Sequence, residues 1–134
     1  MNKIEHIGIA VKSIDEANKV YKSLFGYEHY KSETVEKEGV TTSFFTCGES
    51  KIELLEATHK DSPIAKFIDK KGEGIHHIAF DVDDIHAEIR RLKKEGFKVL
   101  NDTPKKGADN KLVAFLHPKS SNGVLIELCQ EIKE

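Results

Sequence analysis

The sequence predicts an α+β fold built from two βαβββ modules, and three observations carry the prediction. A histidine-led apolar run occurs twice, as "IEHIGIAV" at residues 4–11 and "GIHHIAFDV" at residues 74–82. Each run leads into an amphipathic helical segment stopped by glycine, at Gly26 and at Gly96. Each half then closes on a strand-like run with one glutamate between aliphatic residues, Glu53 in "KIELLEA" and Glu127 in "GVLIELCQ". The shared order of elements, more than identity, marks a duplication. A chain of 134 residues is the usual size of one domain. Its expected parts are a first module at about 1–58, a linking helix at about 61–72 and a second module at about 74–134.

The first strand is expected over Glu5 to Val11, with Ile7, Ile9 and Val11 on one face and His6, Gly8 and Ala10 on the other. "SIDEANKVYKSLFG" opens with a capping box, Ser13 and Glu16, and ends at Gly26, a left-handed stop. Ile14, Ala17, Val20, Tyr21, Leu24 and Phe25 supply its apolar stripe. "VTTSFFTCG" and "KIELLEA" read as two strands around a "GES" turn. The linking helix takes Ser62 as its cap and Pro63 at its first position, where a missing N–H costs nothing, and ends near Gly72.

The pattern then restarts. A strand from His77 to Val82 puts Ile78, Phe80 and Val82 on one face and His77, Ala79 and Asp81 on the other. A helix capped by Asp83 or Asp84 follows, with Ile85, Ile89 and Leu92 facing inward and Gly96 as its stop. "KLVAFLHP" and "GVLIELCQ" complete the module around the turn "KSSNG", which reads as a hairpin loop more readily than as a phosphate cradle.

Composition excludes several classes of function. With 21 basic and 23 acidic residues scattered along the chain, there is no basic patch to bind nucleic acid. No apolar run is long enough to span a membrane, and the amino terminus lacks a signal-peptide core, so a soluble, unprocessed protein is expected. Cys47 and Cys129 have no CxxC spacing and fit a reducing cytoplasm better than a disulfide.

The alternation itself points to a site. If a helix covers the aliphatic face of each module, then His6 beside Gly8 and Ala10, and His77 beside Ala79, occupy the free face with room around each imidazole. Glu53 lies between Ile52 and Leu54, and Glu127 between Ile126 and Leu128, so both carboxylates fall on that free face. Burying a lone carboxylate is costly, whereas one beside a cation is compensated. Two neutral imidazoles and two carboxylates total −2, which balances one divalent ion. Such a set suits Co²⁺, Mn²⁺, Fe²⁺, Ni²⁺ or Zn²⁺, with two positions of a six-coordinate shell left open.

A single strand histidine is more often hydrogen-bonded than metal-bound, and a strand glutamate usually meets solvent; the repetition is what selects these four. His76 points away from His77 by alternation, and His29, His59, His86 and His117 lack duplicates and read as surface or structural.

The phrases "DSPIAKFIDKKGEGIHHIAFDVDDI", "HPKSSNGVLIEL" and "IEHIGIAV" together resemble the methylmalonyl-CoA epimerases, a family of the vicinal oxygen chelate superfamily that also includes glyoxalase I. The resemblance spans essentially the whole chain. It implies modules curled into a cupped mixed sheet around one divalent metal per chain, Co²⁺ first, with Mn²⁺, Ni²⁺ or Zn²⁺ as alternatives, and a homodimer. It places the metal ligands on His6, Glu53, His77 and Glu127, the set the repeat selects. It also implies a CoA thioester substrate, whose C2 proton is removed from one face and returned to the other.

Some members have glutamine where this chain has Glu53, and some have a proposed catalytic glutamate where this chain has Thr41 and Thr42. A threonine cannot serve as that base, so Glu127 and Glu53 are the expected bases. Lys105, Lys106 and Lys119 are plausible partners for CoA phosphates. Three other functions fit the same fold: a glyoxalase I-like isomerase, a dioxygenase, and a non-enzymatic small-molecule binding protein. The long phrase matches weigh against the first, the fourth ligand against the second, and a retained stoichiometric metal would weigh against the third.

Overall fold

Capping side chains and prolines fix where the helices of this chain begin. In the computed structural model, which describes residues 1–133, the chain runs β1 (Lys3–Ala10), α1 (Ile14–Phe25), β2 (Lys31–Val35), β3 (Val40–Cys47), β4 (Ser50–Ala57), α2 (Pro63–Lys71), β5 (Gly74–Asp81), α3 (Ile85–Lys94), β6 (Lys105–Lys106), β7 (Lys111–Leu116) and β8 (Ile126–Glu131). Ser13 Oγ accepts from Glu16 N at the start of α1, Ser62 Oγ from Ala65 N at α2, and Asp84 Oδ1 from Ala87 N at α3. Each satisfies one N–H that the helix cannot pair internally. Asp84, not Asp83, is therefore the third cap. Helix α1 ends on Gly26 in the left-handed conformation, φ 84°, which glycine adopts without a Cβ clash.

The described residues pack as two units. One contains residues 7–76; the other contains residues 1–6 together with those from 77 onward. The division cuts β1 directly after His6 and β5 directly before His77. Thus His6, although encoded in the first half of the sequence, packs with the second.

In the unit of residues 7–76 the strands are ordered β2-β3-β4-β1. Strands β3 and β4 are antiparallel, with Phe44 opposite Glu53 and Phe45 opposite Ile52. Phe45 and Leu54 face α1, packing with Val11, Ile14, Ala17, Tyr21 and Phe25. The expected stripe is narrower than its spacing predicts, because Val20 and Leu24 are 62% and 68% exposed. Helix α2 packs Ile64, Phe67 and Ile68 with Ala10, Val40 and Leu55.

In the other unit the order is β1-β5-β8-β7-β6, with β5 parallel to β8 and β7 antiparallel to it. Ile85, Ile89 and Leu92 of α3 pack on Ala114, Leu116 and Leu128. Full burial of each such side chain contributes roughly 1.5–3 kcal/mol. The opposite face of these strands carries His77, Ala79, Val113, Phe115, Glu127 and Cys129 by the register. The fold is mixed α+β, as the alternation predicts.

The duplication is also visible in hydrogen bonds that occur separately within each unit. Val11 N donates to Leu55 O at 2.9 Å, and Val82 N to Cys129 O at 2.9 Å. Ile14 N donates to Glu56 Oε1 at 2.6 Å, and Ile85 N to Gln130 Oε1 at 2.8 Å. In both pairs the donors stand 71 residues apart and the acceptors 74 apart. The last strand of each module therefore caps the helix of that module, and by the same offset Glu53 is the counterpart of Glu127.

The "KSSNG" segment is a short 3-10 turn over Pro118–Ser121, with His117 Nδ1 accepting from Lys119 N and Asn122 in the left-handed region. The "GES" turn is a tight connection, with Gly48 at φ 62°. Among the described residues, no helix is long and apolar enough to cross a membrane.

Candidate metal centre

Three of the four expected ligands meet. His6 on β1, His77 on β5 and Glu127 on β8 are each 5–6% exposed. For two of them the strand period explains the position: Glu127 is the parallel partner of Ala79, two residues beyond His77, so both lie on the face turned away from α3. His6 Nε2 is 2.9 Å from His77 Nε2, with the rings edge to face at 86°. Glu127 Oε1 is 3.1 Å from His77 Nε2 and 3.7 Å from His6 Nε2. Phe115 meets the His77 ring edge-on at 5.9 Å.

Burial pushes the Glu127 carboxyl upward, but its hydrogen bonds to His6 and His77 and their charge outweigh that and hold it well below the usual carboxylate range. One ligand atom from each residue lies within 4.8 Å of the others, so these groups can hold a divalent metal. The chemistry of the donor set fits: two imidazole nitrogens and a carboxylate oxygen match a first-row divalent ion.

Glu53 on β4 is buried at 5% exposure. Its cross-strand partner is Phe44, and Thr42 pairs with Leu55, so Glu53 and Thr42 share the face opposite α1. Thr42 is 1% exposed and Thr41 half-buried.

The remaining histidines serve locally. His76 packs edge-on to Phe67 at 5.0 Å. His59 Nδ1 accepts from Asp61 N, and His29 lies 6.0 Å from the Phe45 ring. His86 is exposed on α3. Lys105, Lys106 and Lys119 are exposed.

Alternation did not bring out Glu5, which it assigns to the Ile7 face. Glu5 is buried at 2% exposure, and its Oε1 lies within hydrogen-bond distance of His6 Nδ1, at 2.9 Å. The only trace in the sequence is the Glu-His dipeptide.

A mixed fold bearing a buried two-histidine, one-carboxylate cluster defines the class. The chain belongs to the Glyoxalase/Bleomycin resistance protein/Dioxygenase superfamily, whose model matches residues 5–115. Within that class it is 43% identical to the mitochondrial methylmalonyl-CoA epimerase of Dictyostelium discoideum, over 96% of this chain and 78% of that protein. It is 42% identical to the ethylmalonyl-CoA/methylmalonyl-CoA epimerase of Cereibacter sphaeroides, over 97% of this chain and 98% of that protein. Its fold matches a variant of Streptomyces coelicolor methylmalonyl-CoA epimerase in complex with 2-nitronate-propionyl-CoA, with a TM-score of 0.91 and 36% identity, covering 98% of this chain and 95% of that one.

Proposed function

We propose that this protein is a methylmalonyl-CoA epimerase, an isomerase that interconverts the (2R) and (2S) epimers of methylmalonyl-CoA by a 1,1-proton transfer. The observation that carries the reading is the buried meeting of His6, His77 and Glu127 in a chain about 40% identical to such epimerases over nearly its full length.

The C2 proton of this substrate is acidified by the thioester and protected by the neighbouring carboxylate, whose charge opposes carbanion formation. His6, His77, Glu127 and Glu53 would hold the metal, with Glu53 joining as the duplicate of Glu127 in its own module. A divalent cation, for which we take Co²⁺ first, supplies Lewis-acid stabilisation of the charge that develops on the thioester oxygen. Each 1.36 kcal/mol or so of such stabilisation is about tenfold in rate.

The proton is handled by the chain itself. Glu127, an ionised ligand able to loosen during the transfer, is assigned the removal of the C2 proton from one face. Glu53, in its protonated form, is assigned the opposite face of the planar enolate and returns a proton to C2 while Glu127 keeps the one removed, because Thr41 and Thr42 offer no carboxylate in their strand. Positioned bases of this kind typically supply about 10² to 10⁴ in rate. Lys105, Lys106 and Lys119 are assigned to the CoA phosphates.

We expect a cytoplasmic protein, in keeping with two free thiols, Cys47 and Cys129, and, from the family resemblance, a homodimer; light scattering on the eluting protein tests the dimer. The deciding experiment incubates purified protein with one epimer of methylmalonyl-CoA in deuterated water, with and without a chelator. Deuterium uptake at C2 coupled to loss of stereochemical purity, both chelator-sensitive, is the expected result. No uptake by the metal-loaded protein overturns the reading.

A further inference from the structure

Glu5 breaks the alternation of its own strand, and its surroundings explain why. Its Oε1 is 2.9 Å from His6 Nδ1, and its Oε2 is 3.9 Å from the Nζ of Lys111 on β7, whose side chain is 12% exposed. The other ring nitrogen of His6, Nε2, faces His77 Nε2 at 2.9 Å and Glu127 Oε1 at 3.7 Å. An ionised carboxylate can only accept, so the hydrogen between Glu5 and His6 belongs to Nδ1. In the doubly protonated ring Nε2–H faces Glu127 as a donor; once the ring is neutral, the hydrogen held by Glu5 stays on Nδ1 and the lone pair falls on Nε2, the atom turned toward Glu127.

A carboxylate at 2% exposure needs a compensating partner. Lys111 supplies one, so the Glu5 charge does not fall on the imidazole alone. The duplicate position of Glu5 is His76, which packs edge-on to Phe67 instead. The arrangement is thus built into one module only and is no residue of the repeat.

We propose that Glu5, seated by Lys111, is a positioning residue that fixes His6 in the Nδ1–H tautomer and presents Nε2 to the cation. The inference rests on the reading of His6 as a metal ligand. Such outer partners commonly govern metal affinity by about 10- to 100-fold.

The test reads the His6 tautomer in ¹⁵N-labelled, metal-free protein by long-range proton–nitrogen spectra, and cobalt affinity by competition with a chromophoric chelator. The wild type is expected to show Nδ1–H on His6. Glu5→Gln is expected to mix the tautomers and weaken Co²⁺ about 10- to 100-fold with the thermal midpoint retained, and Glu5→Asp to recover part of that loss. Lys111→Met is expected to weaken Co²⁺ by less than Glu5→Gln. An Nε2–H tautomer in the wild type overturns the proposal without any variant, which covers the case of a Glu5→Gln protein that does not fold. Unchanged tautomer and affinity in folded Glu5→Gln overturn it as well. Failure of the metal reading is a separate result, wild-type protein that binds no Co²⁺, and the tautomer is measured without metal.

Discussion

Glu127 keeps its charge in a place where burial alone would remove it, because two imidazoles stand against it. Its folded-state pKa lies below the unfolded value of about 4.3. The ionised group therefore adds stability that is complete above about pH 4.3 and disappears as the pH falls through the lower folded value. Denaturant midpoints of the metal-free protein should fall between about pH 5 and pH 3, and those of Glu127→Gln should fall less; parallel curves would contradict the assignment. In the metal-loaded protein, Glu127→Gln should lower deuterium exchange at C2 by about 10²-fold or more, as followed by proton NMR. The strand period alone was enough to place His6, His77 and Glu127 on one face. It could not reveal Glu5, whose burial beside His6 and Lys111 the period of a strand does not encode.

The helices are held at their starts by the strands they cover. Glu56 Oε1 accepts from Ile14 N, and Gln130 Oε1 from Ile85 N. Removing either acceptor leaves a half-buried N–H without its partner, so Glu56→Ala and Gln130→Ala should each cost about 1–2 kcal/mol in urea unfolding. Leu128→Ala, beneath α3 and fully buried, should cost about 2–5 kcal/mol by the same measurement. Most elements were legible, because capping residues, glycine stops and apolar spacing agree with one another. Strand β2, "KSETV", is the strand of the first βαβββ module that the sequence pattern does not locate. Its residues are polar or half-buried, and it is a strand because it pairs with β3, as Lys31 with Phe44 and Glu33 with Thr42. Strand β6, two lysines on β7, gives no periodic signal. The exposure of Val20 and Leu24 was equally hidden, since helical spacing defines a stripe but not how much of it the sheet covers.

At the scale of the molecule, a cation bound only by the folded chain stabilises it by mass action. A hundredfold excess over the dissociation constant adds about 2.7 kcal/mol. The thermal midpoint of the wild type should therefore rise with Co²⁺ and return with chelator, and that of His77→Ala should ignore both in differential scanning calorimetry. Residues 1–6 are grouped with residues from 77 onward, so the amino-terminal hexapeptide packs with the carboxyl-terminal half. A gene severed at the linking helix would leave His6 on one polypeptide and its companions on the other. Only co-expression, with the leading strand reinserted by fragment complementation, could then bring His6 back beside His77 and Glu127.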